Sequence, residues 1–279
     1  MSGKLYIVGT PIGNLEDFSP RAVRVLSEVD FIAAEDTRVT LKLLNRFEIS
    51  KPMVAYFEHN KKERGNVVIE RLLGGQTCAL VTDAGMPAIS DPGEDLIREC
   101  HENGIAVESV PGPTAFATAL ALSGMPGGRF CFEGFLSVNK PSRIKHLNEV
   151  KDEHRTMIFY EAPHKLIKTI DDMYAAFGDR KIAIVREITK IHETVFRTTL
   201  SEAKEYYKEH EPRGEYVLII EGAKEQQQNY SLEDAVRLAK KFVNDGQSAS
   251  FAAKEAAKIT GIKKSDIYRF MLDLSAERD

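Results

Sequence analysis

The sequence contains few residues of the kinds that hold metals or form disulfides. Its 279 residues include three cysteines, widely spaced and never in a C-x-x-C pair. The seven histidines are scattered, and none lies in an H-x-x-x-H or H-E-x-x-H pattern. We therefore predict neither a structural zinc site nor a protein-bound catalytic metal, and the cysteine usage is typical of a reducing cytoplasm.

Long apolar runs and an excess of positive charge are also absent. No run approaches the roughly 20 apolar residues that a helix needs to span a bilayer. The opening letters M-S-G-K-L-Y-I-V enter a strand at once, without a signal-peptide pattern, so we expect a cytoplasmic protein. The net charge of -4 argues against general attraction to nucleic acid, so any polyanion site must be a local basic patch.

The glycine loop that binds dinucleotides is missing as well. The first predicted strand, Lys4 to Val8, leads into G-T-P-I-G, which lacks the G-x-G-x-x-G spacing. Pro11 also removes an amide that a phosphate would use. This segment therefore argues against a dinucleotide site.

What the sequence does contain is a strand–helix alternation, which predicts a mostly parallel sheet. The strands are predicted at 4–8, 31–34, 78–81 and 106–110, and the helices at 20–28, 41–47, 65–73, from 94 and at 116–123. Ser19 followed by Pro20 is a good helix start.

A second α/β region with mixed strands is predicted after this alternation. Its strands are predicted at 130–132, 156–160, 181–185, 194–200 and 215–221, with Ser201 capping a helix. A Gln-rich linker follows, and then two helical patterns and a third short helix, with a stop at Gly261 that resembles a helix-turn-helix module. The predicted domains are 1–123, 124–222, a linker at 223–230 and a helical tail at 231–279.

One stretch, V-T-D-A-G-M-P-A-I-S-D-P-G at 81–93, combines glycines, prolines and aspartates at the end of a predicted strand. So many turn-forming residues there are typical of a ligand crevice in an open α/β sheet, although ordinary turn chemistry would explain the loop alone. Gly85 lacks a Cβ where a ligand could approach.

Seven ordered motifs give this loop a context. They are L-Y-I-V-G-T-P-I-G-N-L-E-D, A-E-D-T-R-V-T-L-K-L-L, V-T-D-A-G-M-P-A-I-S-D-P-G, V-P-G-P-T-A, F-Y-E-A-P-H-K-L, R-E-I-T-K-I-H-E and G-E-Y-V-L-I-I-E-G. Together they resemble the tetrapyrrole (corrin/porphyrin) methylase superfamily, and within it the branch that methylates small-subunit ribosomal RNA. The resemblance covers the chain from Leu5 to about Tyr268.

The resemblance implies an α/β fold of two α/β domains of the tetrapyrrole methylase type, with S-adenosylmethionine bound in the cleft between them, plus a small helical C-terminal tail. By position it implies nine cofactor-site residues: Ile12, Asp83, Gly85, Met86, Pro87, Thr114, Ala115, Ala162 and Ile188. For Asp83, capping of the following turn is the alternative role.

Methylation of a ribose hydroxyl benefits from a general base, because the hydroxyl is a poor nucleophile until its proton is removed or shared. Glu187 follows a predicted strand and is one candidate; the alternative is an ion pair that fixes its loop. Glu161, after another strand beside His164, is the second candidate. The identity of the base stays open at this point.

Contact with RNA requires local cations. Basic residues occur in several clusters, each of which could equally be a solvated helix face. The candidates are Arg38, Lys42, Lys140, Arg143, Arg186, Lys190, Lys258, Lys263 and Lys264.

The resemblance implies a function: S-adenosylmethionine-dependent methylation of a cytidine ribose 2′-hydroxyl in 16S ribosomal RNA, by a homodimer acting on the RNA or the small ribosomal subunit. Two alternatives stay open. The chain could be a tetrapyrrole methylase, although the loop reads Asp83-Ala-Gly where many relatives of that kind have G-D-P. It could also be a non-catalytic RNA-binding assembly protein.

Overall fold

A computed structural model describes residues 3–224 and 230–276. The chain divides into two compact units, Met1–Ala223 and Lys224–Asp279. The first unit contains both β-sheets, and the second contains three helices. Among the described residues, no helix has the length and apolar character needed to cross a bilayer.

The first sheet has five parallel strands in the order β3-β2-β4-β1-β5. Their bounds are Lys4–Val8 (β1), Phe31–Ala34 (β2), Met53–Ala55 (β3), Cys78–Val81 (β4) and Ala106–Val110 (β5). Strands β2 and β4 are buried along their whole length, as expected for a parallel sheet covered on both faces. Because the strands are parallel, the loops that follow them converge at one edge of the sheet.

Five helices cover this sheet or follow its last strand. They are Pro20–Glu28 (α1), Thr37–Arg46 (α2), Lys61–Leu73 (α3), Glu94–Glu102 (α4) and Ala115–Ser123 (α5). Ser19 caps α1 by accepting a hydrogen bond from the Ala22 amide, with proline next in the chain, as predicted. A short 3₁₀ turn at Leu15–Asp17 precedes α1.

The second sheet has the order β6-β7-β10-β8-β9. Its strands are Phe130–Phe135 (β6), Thr156–Glu161 (β7), Lys181–Arg186 (β8), Thr194–Thr199 (β9) and Tyr216–Ile220 (β10), and its helices are Lys140–Val150 (α6), Pro163–Phe177 (α7) and Leu200–Glu209 (α8). Only β6 and β7 pair in parallel; the other pairs are antiparallel, so the sheet is mixed, as predicted.

The two faces of the second sheet bury different partners. One face packs with residues of α6, α7 and α8 around Phe159, Ile184 and Leu218. The opposite face packs around Ile158, Val185 and Val217, with residues of α5. Helix α5 therefore belongs to the chain segment of the first sheet but packs on the second, which joins the two sheets in one compact unit.

The C-terminal unit consists of Leu232–Asn244 (α9), Ala249–Thr260 (α10) and Lys264–Ala276 (α11). Ser231 and Asp234 form a reciprocal capping box at α9. Helix α10 ends at Gly261 in the left-handed conformation, as predicted, and α11 begins three residues later. Small residues such as Ala239 and Ala253 form the core of this unit.

Several predicted boundaries are wrong. Helix α2 begins at Thr37 rather than Leu41, because Asp36 caps it through the Arg38 amide. Helix α3 begins at Lys61 rather than Gly65, so part of the polar segment before it is helical. The cap of α8 is Thr199 and not Ser201.

One strand was not predicted at all. Strand β3 has three partly buried residues, which is too short for a clear pattern. The predicted domain boundary near residue 124 stays a prediction, because both sheets lie in one compact unit. Residues 225–229 of the predicted linker and residues 277–279 of the predicted tail lie outside the described residues.

Candidate functional site

A cavity of about 450 Å³ lies where loops of both sheets meet. It is bounded by the loops after β1, β2, β4, β5, β7 and β8, together with the end of β6 and the start of β10. Its lining comprises Ile12, Glu35, Thr82, Asp83, Ala84, Gly85, Met86, Ile89, Ser90, Asp91, Thr114, Ala115, Phe135, Tyr160, Glu161, Ala162, Pro163, Ile188, Lys190, Glu215, Tyr216 and Val217.

Eight of the nine predicted cofactor positions line this cavity. The exception is Pro87, which is buried beside Met86 and does not line the space. Six of the eight come from the first sheet's loops, and Ala162 and Ile188 come from the second's. Residues separated by more than 170 positions in the chain are thus brought to one space by the two sheets.

The loop after β4 is held against the loop after β1. The amide of Thr10 donates to the Gly85 carbonyl at 3.0 Å, and the Gly85 amide donates to the Thr10 carbonyl at 3.1 Å. Gly85 has φ +88, a conformation that disfavours a side chain. A Cβ there would lie 3.5 Å from Ile12 Cγ2, which is an ordinary van der Waals distance. The backbone angle rather than the space therefore favours glycine at this turn.

Three carboxylates of the first sheet's loops share the cavity lining: Glu35, Asp83 and Asp91. The Thr82 hydroxyl donates to Glu35 Oε2, and the Asp36 amide donates to Asp83 Oδ1 at 3.2 Å. In the described part of the chain, no lysine or arginine nitrogen lies within 4.0 Å of any of the three carboxylates. Among the described residues, no group of three or more His, Cys, Asp or Glu side chains could hold a metal ion.

Because they are partly buried and lie close to one another, two of these carboxylates have altered pKa values. Burial, and next the negative charge of Glu35, raise the pKa of Asp91 to about 6. Burial, followed by the charge of Glu35, also raises the pKa of Asp83. Asp91 is therefore a carboxylate that changes protonation state near neutral pH.

The second sheet's carboxylates are arranged differently. Glu161 is buried, with 2% of its surface exposed. It accepts hydrogen bonds from the Ala162 amide at 2.8 Å and the Thr169 hydroxyl, and it pairs with Lys165 Nζ at 2.9 Å. With both of its oxygens already bonded, Glu161 is better suited to fixing the start of α7 than to accepting a proton.

Glu187 is also engaged by its neighbours. Its Oε1 accepts from Lys190 Nζ at 3.0 Å and from the Glu215 amide at 2.9 Å, and Lys190 also reaches Glu215 at 2.8 Å. Burial alone would raise the pKa of Glu187, but the Glu215 amide and Lys190 outweigh it and hold the pKa below its usual value. Among these residues, Lys190 and Glu215 line the cavity but Glu187 does not.

Backbone strain is concentrated beside the cavity. Glu187 (φ +53), Thr189 (φ +63) and Ala88 (φ +64) are three of the four non-glycine residues with positive φ in the described chain. Such conformations cost about 1–3 kcal/mol each and persist where surrounding contacts impose them. The Glu187–Lys190 pair supplies such contacts, which agrees with a role in fixing the loop that carries Ile188.

Comparison with known proteins identifies the fold. Residues 4–204 match the family Tetrapyrrole (Corrin/Porphyrin) Methylases. The chain belongs to this family.

Two relatives of this methylase, each named Ribosomal RNA small subunit methyltransferase I, are similar over nearly their full length. The protein from Synechocystis is 43% identical, with 99% of each chain covered. The protein from Halalkalibacterium halodurans is 46% identical, with 95% of this chain and 93% of the relative covered.

A solved structure supports the fold independently. The uroporphyrin-III C-methyl transferase from Thermus thermophilus, complexed with S-adenyl homocysteine, aligns with a TM-score of 0.55 at 20% identity. The alignment covers 78% of the present chain and 97% of that structure. The predicted tetrapyrrole methylase fold, with two sheets and an additional helical region, is confirmed.

One predicted RNA-binding residue of the methylase is engaged inside the protein. Arg143 is buried, and its Nε and Nη2 bond Asp172 Oδ2 at 2.8 and 2.7 Å. Its Nη1 donates to the carbonyls of Ser137 and Val138. The guanidinium therefore joins α6 to α7, and four of its five donors are already used.

The other predicted basic residues are dispersed. Arg38 is exposed but pairs with Asp36, and Lys190 lies in the cavity, paired as described. Lys258 pairs with Glu255, and Lys264 donates to Ser250. Lys42, Lys140 and Lys263 are exposed, and Arg186 lines a second cavity.

Sequence reasoning missed several residues that line the methylase cavity. Asp91 lies inside the central motif, and a signal for it was present as the motif's second aspartate. Glu35 could be found only by knowing that β2 pairs with β4, which brings the ends of these two strands together. Phe135, Tyr160 and Ile89 carried no signal, because an aromatic or apolar residue near a strand end is more often core.

Proposed function

We propose that this protein transfers a methyl group from S-adenosylmethionine to the 2′-hydroxyl of a cytidine ribose in 16S ribosomal RNA of the small subunit. The observation that carries the proposal is a single cavity that combines the loop positions expected for the cofactor with a base of suitable acidity. The names of the similar proteins support the substrate, and the composition of the cavity supports the chemistry.

The cavity fits this cofactor in size and charge. Its volume of about 450 Å³ falls within the roughly 300–1,000 Å³ of small-molecule sites. Glu35 and Asp83 provide negative charge for a ligand with a sulfonium and an ammonium group, and Ile12, Met86 and Ile188 provide apolar surface. When bound, S-adenosylmethionine supplies an electrophilic methyl group.

Asp91 is the residue best suited to accept the proton of the acceptor hydroxyl. A catalytic base works best when its pKa lies near the working pH, and the pKa of Asp91 is about 6. As the ribose oxygen forms its bond to the methyl carbon, the hydroxyl proton passes to the Asp91 carboxylate.

Apolar side chains at the cavity offer surfaces for the acceptor nucleoside. Phe135 is 55% exposed and Ile89 is 52% exposed, although both are large hydrophobic residues that line the cavity. Phe135 contacts Tyr160 edge to face at 5.3 Å, which holds the ring in place. RNA-binding proteins stack unpaired bases on such surfaces.

The experiment is transfer of labelled methyl groups to small ribosomal subunits from a strain that lacks the modification. Naked 16S RNA and uroporphyrinogen serve as parallel acceptors. We expect label in the ribosomal RNA, at a cytidine whose 3′ phosphodiester becomes resistant to alkali because its 2′-oxygen is methylated. Label in the porphyrin alone, or on a nucleobase, would contradict the proposal.

A further inference from the structure

A second cavity, which we call the α8 cavity, lies against the helix-bearing face of the second sheet. Its volume is about 460 Å³, and it is formed by the end of β8, the start of β9, helix α8 and the start of β10. Its lining includes Arg186, Arg213, Tyr206, Tyr207, His210 and Tyr216, together with the carboxylates Glu209 and Glu211, and Glu211 pairs with Arg213 at 2.9 Å. No part of the catalytic scheme above uses it.

The distinguishing feature of the α8 cavity is an arginine without a partner. The Nε of Arg186 is buried, with no hydrogen-bond acceptor among the described residues. No carboxylate of the described chain lies within ion-pair distance of its guanidinium, whereas the buried guanidinium of Arg143 bonds a carboxylate and two carbonyls. Burying a charged donor is costly unless it is paired. Since Arg213 is paired with Glu211, the Arg186 guanidinium is the group of this cavity that suits an anionic ligand.

Aromatic rings adjoin this arginine. Tyr206 and His210 are stacked, with centroids 4.0 Å apart and planes 2° from parallel, and Phe196 contacts Tyr206 at 4.7 Å. Tyr206 is 41% exposed. Burial raises the pKa of Tyr207, so its hydroxyl remains protonated and able to donate a hydrogen bond. A guanidinium beside an exposed stack is a combination that recognises a nucleotide's phosphate and base.

The α8 cavity is adjacent to the catalytic cavity. Tyr216 lines both, and Arg186 precedes by two residues Ile188, which lines the catalytic cavity. The catalytic cavity has five carboxylates and one lysine in its lining, and that lysine is paired, so it is a poor place for phosphate. A polynucleotide acceptor needs an adjoining cationic position for its backbone.

We propose that the α8 cavity binds one phosphodiester of the RNA beside the acceptor nucleotide, with Arg186 on the phosphate and the Tyr206–His210 stack against the neighbouring base. This inference rests on the proposed function for the identity of the RNA. The site itself is specified by the unpartnered guanidinium.

The first test measures binding of a labelled RNA fragment containing the acceptor, with S-adenosylhomocysteine present, over a series of salt concentrations. For Arg186→Gln we expect about tenfold weaker binding, and a salt dependence reduced by roughly the 0.7 expected for one single-strand phosphate contact. Arg186→Lys should retain the salt dependence and recover part of the affinity. Lys208→Gln is the matched control. It removes one positive charge from helix α8, outside the cavity, and its RNA affinity should remain within twofold of wild type.

The second test replaces single phosphates of the fragment with neutral methylphosphonates. One flanking position should weaken wild-type binding about tenfold and leave Arg186→Gln unaffected, because the interaction is already lost. If no position shows this coupling, the proposal is wrong. It is equally wrong if inorganic phosphate at constant ionic strength binds at Arg186 while RNA affinity is unchanged by Arg186→Gln, or if that variant acts only by changing the oligomeric state in sedimentation.

These outcomes are separable from those of the proposed function. Coupling between Arg186 and a phosphate without methyl transfer to ribosomal RNA would support the α8 cavity and contradict the enzyme assignment. Methyl transfer without coupling would do the reverse. Melting temperature and cofactor affinity show whether each variant is folded, and Arg186→Lys keeps the test valid if Arg186→Gln is not.

Discussion

The two walls of the catalytic cavity use carboxylates in opposite ways. On the first sheet's wall, Glu35, Asp83 and Asp91 lie near one another without a lysine or arginine within ion-pair distance in the described chain. On the second sheet's wall, Glu161 pairs with Lys165, and Lys190 joins Glu187 to Glu215.

This difference separates chemistry from support. Burial and the charge of Glu35 raise the pKa values of Asp83 and Asp91, which suits proton transfer, whereas an amide and Lys190 lower the pKa of Glu187, which suits a role in fixing the backbone. The first wall therefore holds the candidate base, and the second wall holds loops in strained conformations. Variants of Asp91 and Asp83 on the first wall, and of Glu187 on the second, test this division.

The largest effect is expected for Asp91→Asn. Removing a general base typically slows the chemical step by about 10²–10⁴-fold. We expect turnover in single-turnover methyl transfer to fall by about 100-fold or more, with cofactor affinity within threefold. The wild-type rate should rise with pH through about 6, and this limb should vanish in the variant.

Stability provides a second measurement on Asp91. Its pKa is raised from an ordinary 3.8 to about 6, so its contribution to stability is fully present below pH 3.8 and is lost as the pH rises through about 6. Asp91→Asn should therefore melt at a higher temperature than wild type at pH 8.

The matched control is Asp171→Asn. Asp171 forms an exposed ion pair with Lys204, and its replacement should change neither the turnover nor the melting temperature. A wild-type rate for Asp91→Asn would exclude it as the base.

A smaller effect is expected for Asp83→Ala. Asp83 lines the cavity from the same loop as Gly85, and its negative charge suits a cationic ligand. We expect about tenfold weaker binding of S-adenosylmethionine by calorimetry, equivalent to about 1.4 kcal/mol. S-adenosylhomocysteine, which lacks the sulfonium charge, should lose less. If the wild-type protein and the variant bind each ligand with the same affinity, Asp83 is not part of the cofactor site.

The smallest effect on catalysis is expected for Glu187→Gln. The variant keeps the shape of the side chain but loses the charge that holds Lys190 and the Glu215 amide. Loss of charged hydrogen bonds should lower the free energy of unfolding by about 1–3 kcal/mol in urea titrations. Turnover should stay within about threefold. A large loss of turnover at unchanged stability would place the base on the second wall and overturn the comparison.

Many elements could be predicted from local sequence because their causes are local. Ser19 and Pro20 start α1, Ser231 starts α9, and Gly261 ends α10, each through a bond or a backbone angle within a few residues. The buried runs of β2 and β4 were evident from their composition. Strand β3, with three residues, offered too little pattern for the same reasoning.

Pairing between distant residues was beyond local reasoning. Arg143 read as a surface cation because nothing in its helix shows that Asp172 lies opposite it. Glu187 read as a possible base because the Glu215 amide that bonds it lies 28 positions away, although its lysine partner is three residues along the chain. For Glu161 the bonded amide and lysine are local, and only the structure shows that the side chain is buried against them. Asp91 was overlooked as a titrating group because its raised pKa comes from burial and then from the charge of Glu35, 56 positions earlier in the chain.

The sequence by itself determined the methylase family, the alternation of strands and helices, and the loop at 81–93, because motifs and backbone preferences are written in neighbouring residues. Only the tertiary structure decided which carboxylates are paired with cations, and that Arg186 is not. Burial, and approaches such as that of Glu35 to Asp91 or of Asp172 to Arg143, are set by packing between segments far apart in the chain, and they determine pKa values and unsatisfied donors. The family's loops could thus be identified from sequence, while the choice among its acidic residues required the fold.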